Sequence, residues 1–343
     1  MTFRAVSRRR LLQGMGATAG LATTGTFLSV GPARAADYTI RLQLGWLASN
    51  GILGEVMADK LGYFAEEGLA LEIVPGGPNI DGVAAVASGA NNFGSISSSP
   101  SLMLARAAGL PIKCVAAGYQ KHPFTYFSLT DSPIRTPQDM IGKKIGTQGT
   151  AQILLRALLA KNNIAEDQVE VVVMGGDMAP LMSGQVQAVT GWQTNTNALS
   201  ILGDKRVDMM LWDAGIQLYA NPYYTTDAML DEHSDKVAAA IRAISRGWGA
   251  VMADPEAGVD ALVERYPNLD KASEMKAVPL VLGFSFNELT KANGWGQMSA
   301  ENWQAQIDTY DALGQFANGA PKLEDLVTMK ILEDTADVRP KLG

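Results

Sequence analysis

Cysteine and histidine are almost missing from this chain of 343 residues: Cys114 is the only cysteine, and His122 and His233 are the only histidines. A single cysteine excludes an internal disulfide and any multi-cysteine metal site. Cys114 lies in the apolar run Ile112–Ala117 and reads as a buried, inert thiol. No Gly-x-Ser-x-Gly, His-Glu-x-x-His or phosphate-loop motif occurs, and no lysine motif for pyridoxal phosphate stands out. No nucleophile, base and orienting group can be assembled into one constellation, so no catalytic residue, metal or cofactor is expected. Bases are also scarce, at 28 Lys and Arg against 35 Asp and Glu. Five of those arginines fall within the first 35 residues, which hold no acid, leaving 23 bases against 35 acids. That balance makes nucleic acid and anionic lipid poor partners.

What is present begins with a leader. Arg4 and Ser7-Arg8-Arg9-Arg10-Leu11-Leu12 form a basic start, and a weakly apolar stretch rich in Gly, Ala and Thr follows to Val30. Pro32-Ala33-Arg34-Ala35 then offers small residues where a signal peptidase reads, so residues 1–35 are expected to be removed before Ala36. The Arg8-Arg9 pair followed by leucines is of the twin-arginine export type. The cleavage site has no cysteine to carry a lipid, so the mature chain is expected to be free and soluble. No later apolar run is long enough to span a bilayer.

From Tyr38 short apolar strands alternate with helices. Strands are expected over 39–46, 70–74, 93–97 and 112–117, with helices over 53–64, 81–88 and 100–108. The breaker-rich stretch Ser132-Pro133-Ile134-Arg135-Thr136-Pro137 follows. The βαβ rhythm then recurs, with strands over 143–146, 169–174, 188–192 and 207–212 and helices over 151–162, 179–184 and 196–202. After Tyr224 the pattern is mainly helical, over 234–254, 255–266 and 299–316. Two α/β units followed by helices imply a chain that leaves a first lobe, builds a second and returns. Ligands of open α/β sheets bind at the carboxyl ends of the strands, so the site is expected between the lobes.

Residues at those strand ends are the candidates. Trp46 and Trp192 follow strands of the first and second units, where a stacking indole is more expected than a core one. Asn50 stands near Trp46, and Gln193, Thr194 and Asn195 stand beside Trp192. Ser97, Ser98 and Ser99 before Pro100, and Gly149 with Thr150, open helices whose first N–H groups point outward and suit an accepting or anionic group. Asp213 follows the strand ending at Trp212 and is a candidate acceptor for a ring N–H or an amine. Tyr119, Gln120 and His122, with Tyr223 and Tyr224, are weaker candidates near the two crossings.

Gln43-Leu44-Gly45-Trp46 and Lys60-Leu61-Gly62-Tyr63-Phe64-Ala65-Glu66-Glu67-Gly68-Leu69 resemble the opening of the SsuA/ThiY superfamily of binding proteins for sulfonates, nitrate and thiamine-pyrimidine precursors. Leu129-Thr130-Asp131-Ser132-Pro133-Ile134 and Asp139–Gly146 resemble its passage into the second lobe, and Met182–Val189 resembles a further stretch, with Met182 and Gln187 as departures. The resemblance spans essentially the whole mature chain. It implies a two-lobed α/β binding-protein fold, type II-like, each lobe a mainly parallel sheet flanked by helices, with two hinge crossings. Lobe I would comprise 36–128 and 225–343, and lobe II 129–224. It further implies a monomeric, periplasmic solute-binding protein that serves an ABC permease and ATPase. The tryptophan pair points to a small heteroaromatic solute resembling a thiamine-pyrimidine precursor, and the paired helix ends would also suit a sulfonate, nitrate or small carboxylate. A fungal pyrimidine synthase related to the superfamily is an enzyme, but it carries a cysteine-rich iron-binding run that this chain lacks.

Overall fold

The computed structural model describes residues 36–77 and 80–342; the leader therefore lies outside the described residues. Strand β1 (Tyr38–Leu44) starts with the alternation of a half-covered strand, Ile40 and Leu42 in and Thr39 and Arg41 out, and is buried on both faces by Gln43 and Leu44. Helices α1 (Leu53–Lys60) and α2 (Tyr63–Glu66), β2 (Leu69–Val74), α3 (Gly82–Ala87), β3 (Phe93–Ser95), α4 (Ser99–Ala107) and β4 (Ile112–Tyr119) follow. The helix expected over 53–64 is broken in two, because Gly62 takes a left-handed conformation at φ 78°.

The second unit runs through β5 (Phe124–Leu129), β6 (Lys144–Thr147), α5 (Gln152–Lys161), β7 (Glu170–Val173), α6 (Ala179–Met182), β8 (Ala188–Trp192), α7 (Thr196–Leu199) and β9 (Arg206–Met210). The return segment holds β10 (Ala220–Thr226), α8 (Asp227–Ala253), α9 (Pro255–Arg265), α10 (Lys271–Ser285), α11 (Glu288–Asn293), α12 (Ala300–Ala312), α13 (Leu323–Leu326) and α14 (Lys330–Glu333). Two five-stranded sheets result, ordered β2-β1-β3-β10-β4 and β7-β6-β8-β5-β9. The orders share one pattern. In each sheet the strand arriving from the other lobe, β10 or β5, is antiparallel to both of its neighbours, while β1 with β2 and β3, and β6 with β7 and β8, pair in parallel.

This pairing moves the boundaries expected at 128/129 and 224/225. β5 hydrogen-bonds into the second sheet from Phe124 onward, opposite Trp192, so the outward crossing is the short segment 120–123. The return runs over 211–219, because β10 joins the first sheet from Ala220. The Ser132–Pro137 stretch is a turn inside lobe II. Breakers mark any turn, within a lobe as well as between lobes.

Lobe I is held by the docking of α8 on α1. A Cβ on Gly247 would lie 1.9 Å from the Gly54 carbonyl oxygen, and one on Gly54 would strike the Trp248 ring at 2.2 Å. Only glycine lets these two backbones touch. α8 is interrupted at His233 (φ −140°, ψ 35°), which is where the expected helix over 234–254 begins. α10, absent from the sequence-based expectation, carries Pro279 in its interior. No helix among the described residues is long and apolar enough to cross a membrane.

Candidate ligand-binding cleft

A cleft of about 780 Å³ opens at the carboxyl ends of the parallel strands of both sheets. Lobe I contributes the segments after β1, β2 and β3; lobe II contributes those after β6, β7 and β8; α10 closes one side. The turn after β2 fits only because position 76 is glycine: a Cβ there would lie 2.2 Å from the Leu44 carbonyl oxygen and 2.7 Å from the Trp46 nitrogen.

Trp46, Asn50, Ser97, Ser98, Thr150, Trp192 and Thr194 all line this space, as does Asn195. Trp46 is 38% exposed at the rim. Trp192 is half-buried and packs on Tyr119, with ring centroids 5.9 Å apart, and on His122 at 5.5 Å and 72°.

Four candidates lie outside the lining. Ser99, the first residue of α4, is buried, with its hydroxyl bonded to Gln306 of α12. Gly149 is not itself in the lining, although its neighbours Gln148 and Thr150 are. Gln193 lies in the turn after β8, and its amide donates to Asp208 Oδ2 at 3.2 Å, outside the cleft. Asp213 is a surface residue, its side chain 66% exposed, paired with Lys121 at 3.0 Å. Of the weaker candidates His122 and Tyr224 reach the cleft. Tyr119 and Tyr223 are buried behind it, and Gln120 Nε2 donates to the Gln297 carbonyl.

Sequence reasoning missed the contribution of the return segment. Asn268, Asp270, Ser273 and Glu274 line the cleft from the start of α10, and Asn221 does so from β10. The local signal was present in Asp270, whose side chain caps α10 by accepting from the Ser273 N–H at 2.8 Å. What could not be read was that this helix end returns to the cleft. Asn50 ties three parts together: its Nδ2 donates to Glu274 Oε2 at 2.8 Å and to the Thr194 carbonyl of lobe II at 3.2 Å. Thr196 Oγ1 donates to the Ser273 carbonyl at 2.7 Å, a second tie between lobe II and α10.

The electrostatics are one-sided. Asp81, Asp270 and Glu274 line the cleft, and no lysine or arginine does so among the described residues. Burial pushes the Glu274 carboxyl up, against the lowering bond from Asn50, while hydrogen bonds from Ser273 hold Asp270 down. Burial pushes the His122 ring down to about 3, so it is neutral. Among the described residues no group of three or more His, Cys, Asp or Glu is arranged to hold a metal ion. Cys114 is buried in the lobe I core, its thiol pushed up by burial.

A family profile described as NMT1/THI5 like matches residues 49–258, which takes in both sides of the cleft up to α9. The chain belongs to the NMT1/THI5-like family. Within reach of it lies a riboflavin-binding protein, RibY, of Chloroflexus aurantiacus, 27% identical over 224 residues, 63% of this chain. The match spans 64% of that relative's length. A formylaminopyrimidine-binding protein of Halalkalibacterium halodurans is 26% identical over 290 residues, covering 80% of this chain and 85% of the relative. Among solved structures, the alkanesulfonate-binding protein SsuA from Xanthomonas axonopodis pv. citri, bound to MOPS, superposes with a TM-score of 0.63 at 18% identity, over 85% of this chain and 98% of that one. The desulfurization enzyme DSZB also shares the fold, with a TM-score of 0.57 at 14% identity, over 87% of this chain and 99% of that one. The NMT1/THI5-like chain therefore has a two-lobed binding-protein fold, and at these identities the structural neighbours speak for the fold alone.

Proposed function

We propose that this chain is a solute-binding protein that captures a flat, neutral or cationic heteroaromatic molecule between its lobes. The observation that carries the reading is the lining itself: indoles from both lobes, many carboxamides, three carboxyl groups and, among the described residues, no fixed cation. Aromatic faces hold a planar ring, and amides and carboxyls read its edge. An anion would meet carboxylates with no lysine or arginine to offset them, so sulfonate, nitrate and carboxylate are the less favoured ligands. The ligands for which two relatives are named, riboflavin and formylaminopyrimidine, are both flat heteroaromatics. A cleft of about 780 Å³ is within the range used for molecules of either size.

In this reading the leader directs export, the mature protein works in the periplasm as a monomer, and its partners are an ABC permease and ATPase. The chain returns its ligand chemically unchanged.

Thermal unfolding of the chain from Ala36 onward, measured with riboflavin, formylaminopyrimidine, an alkanesulfonate and nitrate, tests the proposal. A ligand at 100 times its Kd adds about 2.7 kcal/mol of stability. A rise in Tm with a heteroaromatic and none with the anions is the expected result, with the ligand recovered intact by mass spectrometry. Stabilisation by the sulfonate alone would overturn the ligand assignment. A new product would overturn the binding-protein assignment, and the fold shared with a desulfurization enzyme makes that measurement necessary.

A further inference from the structure

We infer that His122 is a specificity-determining residue of the cleft, donating from its Nε2–H to an acceptor atom, a ring nitrogen or carbonyl oxygen, on the edge of the bound heteroaromatic. The inference rests on the binding reading above and adds a direction to it: at this point the ligand must accept.

The tautomer follows from the backbone. His122 Nδ1 accepts the Phe124 N–H at 3.2 Å, so a neutral ring carries its proton on Nε2. A proton on Nδ1 would face another N–H. The ring is only 1% exposed and is held edge-on by Trp192 at 5.5 Å and by Phe124 at 6.1 Å and 81°. Burial with no carboxylate to offset it keeps the ring uncharged, its pKa pushed down to about 3.

That leaves one polar atom of the side chain to account for. Nε2 is buried and has no hydrogen-bond partner among the described residues, and His122 is one of the residues that line the cleft. A buried donor left unpaired costs free energy, and a ligand acceptor placed against it recovers that cost. The position is also apt. His122 stands on the outward crossing, and its ring leans on the lobe II indole that lines the same space. A ligand nitrogen that carries its own proton would meet donor with donor here and be rejected. The Glu274 carboxyl, on another wall, is an acceptor and reads the opposite kind of edge.

The chain has two histidines, which makes the ring nitrogens easy to observe. The experiment labels histidine with 15N in the chain from Ala36 onward, and His122→Phe assigns the signals. In the free protein His122 should show the neutral Nε2–H form from pH 8 to pH 5. On adding riboflavin or formylaminopyrimidine, the Nε2 proton should move downfield and exchange more slowly with water. By titration, His122→Phe should bind the probe about tenfold more weakly, the loss expected for one hydrogen bond. His122→Gln, which keeps a donor, should recover part of that loss, and an unfolding curve checks that both variants fold. An Nδ1–H form in the free protein would overturn the inference. So would an unmoved Nε2 signal with undiminished affinity in His122→Phe, and that result would leave the cleft reading intact. If neither probe binds the unsubstituted chain, the cleft reading itself is overturned, and the role of His122 with it.

Discussion

Glu55 should make the stability of this protein depend on pH in a way that a single substitution exposes. The residue lies in α1 with no solvent exposure. Its Oε1 accepts from the Tyr223 hydroxyl, and its Oε2 has no partner among the described residues. Burial outweighs the Tyr223 bond and pushes the carboxyl from 4.5 up to about 7. The folded chain keeps this proton where the unfolded chain has lost it. Stability from this group is therefore full below pH 4.5 and falls as pH rises towards 7, above which both states are ionised. A gap of about 2.5 pH units at about 1.36 kcal/mol each is about 3 kcal/mol. His122 works in the opposite sense. Its ring falls from 6.5 to about 3, so the unfolded chain binds a proton that the folded one refuses. That contribution is present above pH 6.5 and is lost as pH falls towards 3. Between pH 4.5 and 6.5 the two slopes oppose each other and the unsubstituted protein should look nearly flat. Glu55→Gln keeps a carbonyl for Tyr223 and removes one slope. Its stability relative to the parent should grow by about 3 kcal/mol between pH 4 and pH 8. Urea unfolding followed by tryptophan fluorescence at several pH values measures it. Parallel curves for the two proteins, whatever their offset, would refute the reasoning.

The remaining predictions follow from packing and from the cleft. Trp46→Ala should leave the unfolding midpoint nearly unchanged, because the ring is a rim residue, and should weaken ligand binding on the order of ten- to a hundredfold by titration. Trp192→Ala should weaken binding similarly and also lower stability, by about 1–3 kcal/mol, since Tyr119 and His122 lose a packing partner. Gly247→Ala should destabilise by 2 kcal/mol or more, on the order expected for overpacking at a backbone contact, as read by urea midpoint. Asn50→Ala leaves Glu274 without its donor and removes a tie to lobe II, so binding should weaken while small-angle scattering reports a more open free protein. Asp213→Ala, which breaks only an exposed pair with Lys121, should change neither stability nor affinity by more than a few tenths of a kcal/mol.

Much of the architecture was legible before folding because it is written in local patterns. β1, β8 and the helices of both α/β units follow from apolar periodicity and from glycine or proline at their ends. Trp46 and Trp192 were identifiable for the same reason: a side chain at the carboxyl end of a parallel strand opens onto the cleft wherever that strand sits. The tertiary structure decided what no local pattern encodes. β5 and β10 were missed because each joins its sheet as the antiparallel newcomer, through hydrogen bonds to strands distant in sequence, and Pro222 disguises the second. Gln193 follows a cleft residue in the chain and Asp213 follows the end of a strand, yet both side chains are held outside the cleft, one by Asp208 and the other by Lys121. Asp270 and Glu274 reach the cleft from the start of a helix about 80 residues beyond Trp192. A sequence states which groups exist and how each segment prefers to coil. Which of them share one space depends on long-range packing, and here that packing set the sign of the cleft: carboxyls and a neutral histidine, with the cations left outside.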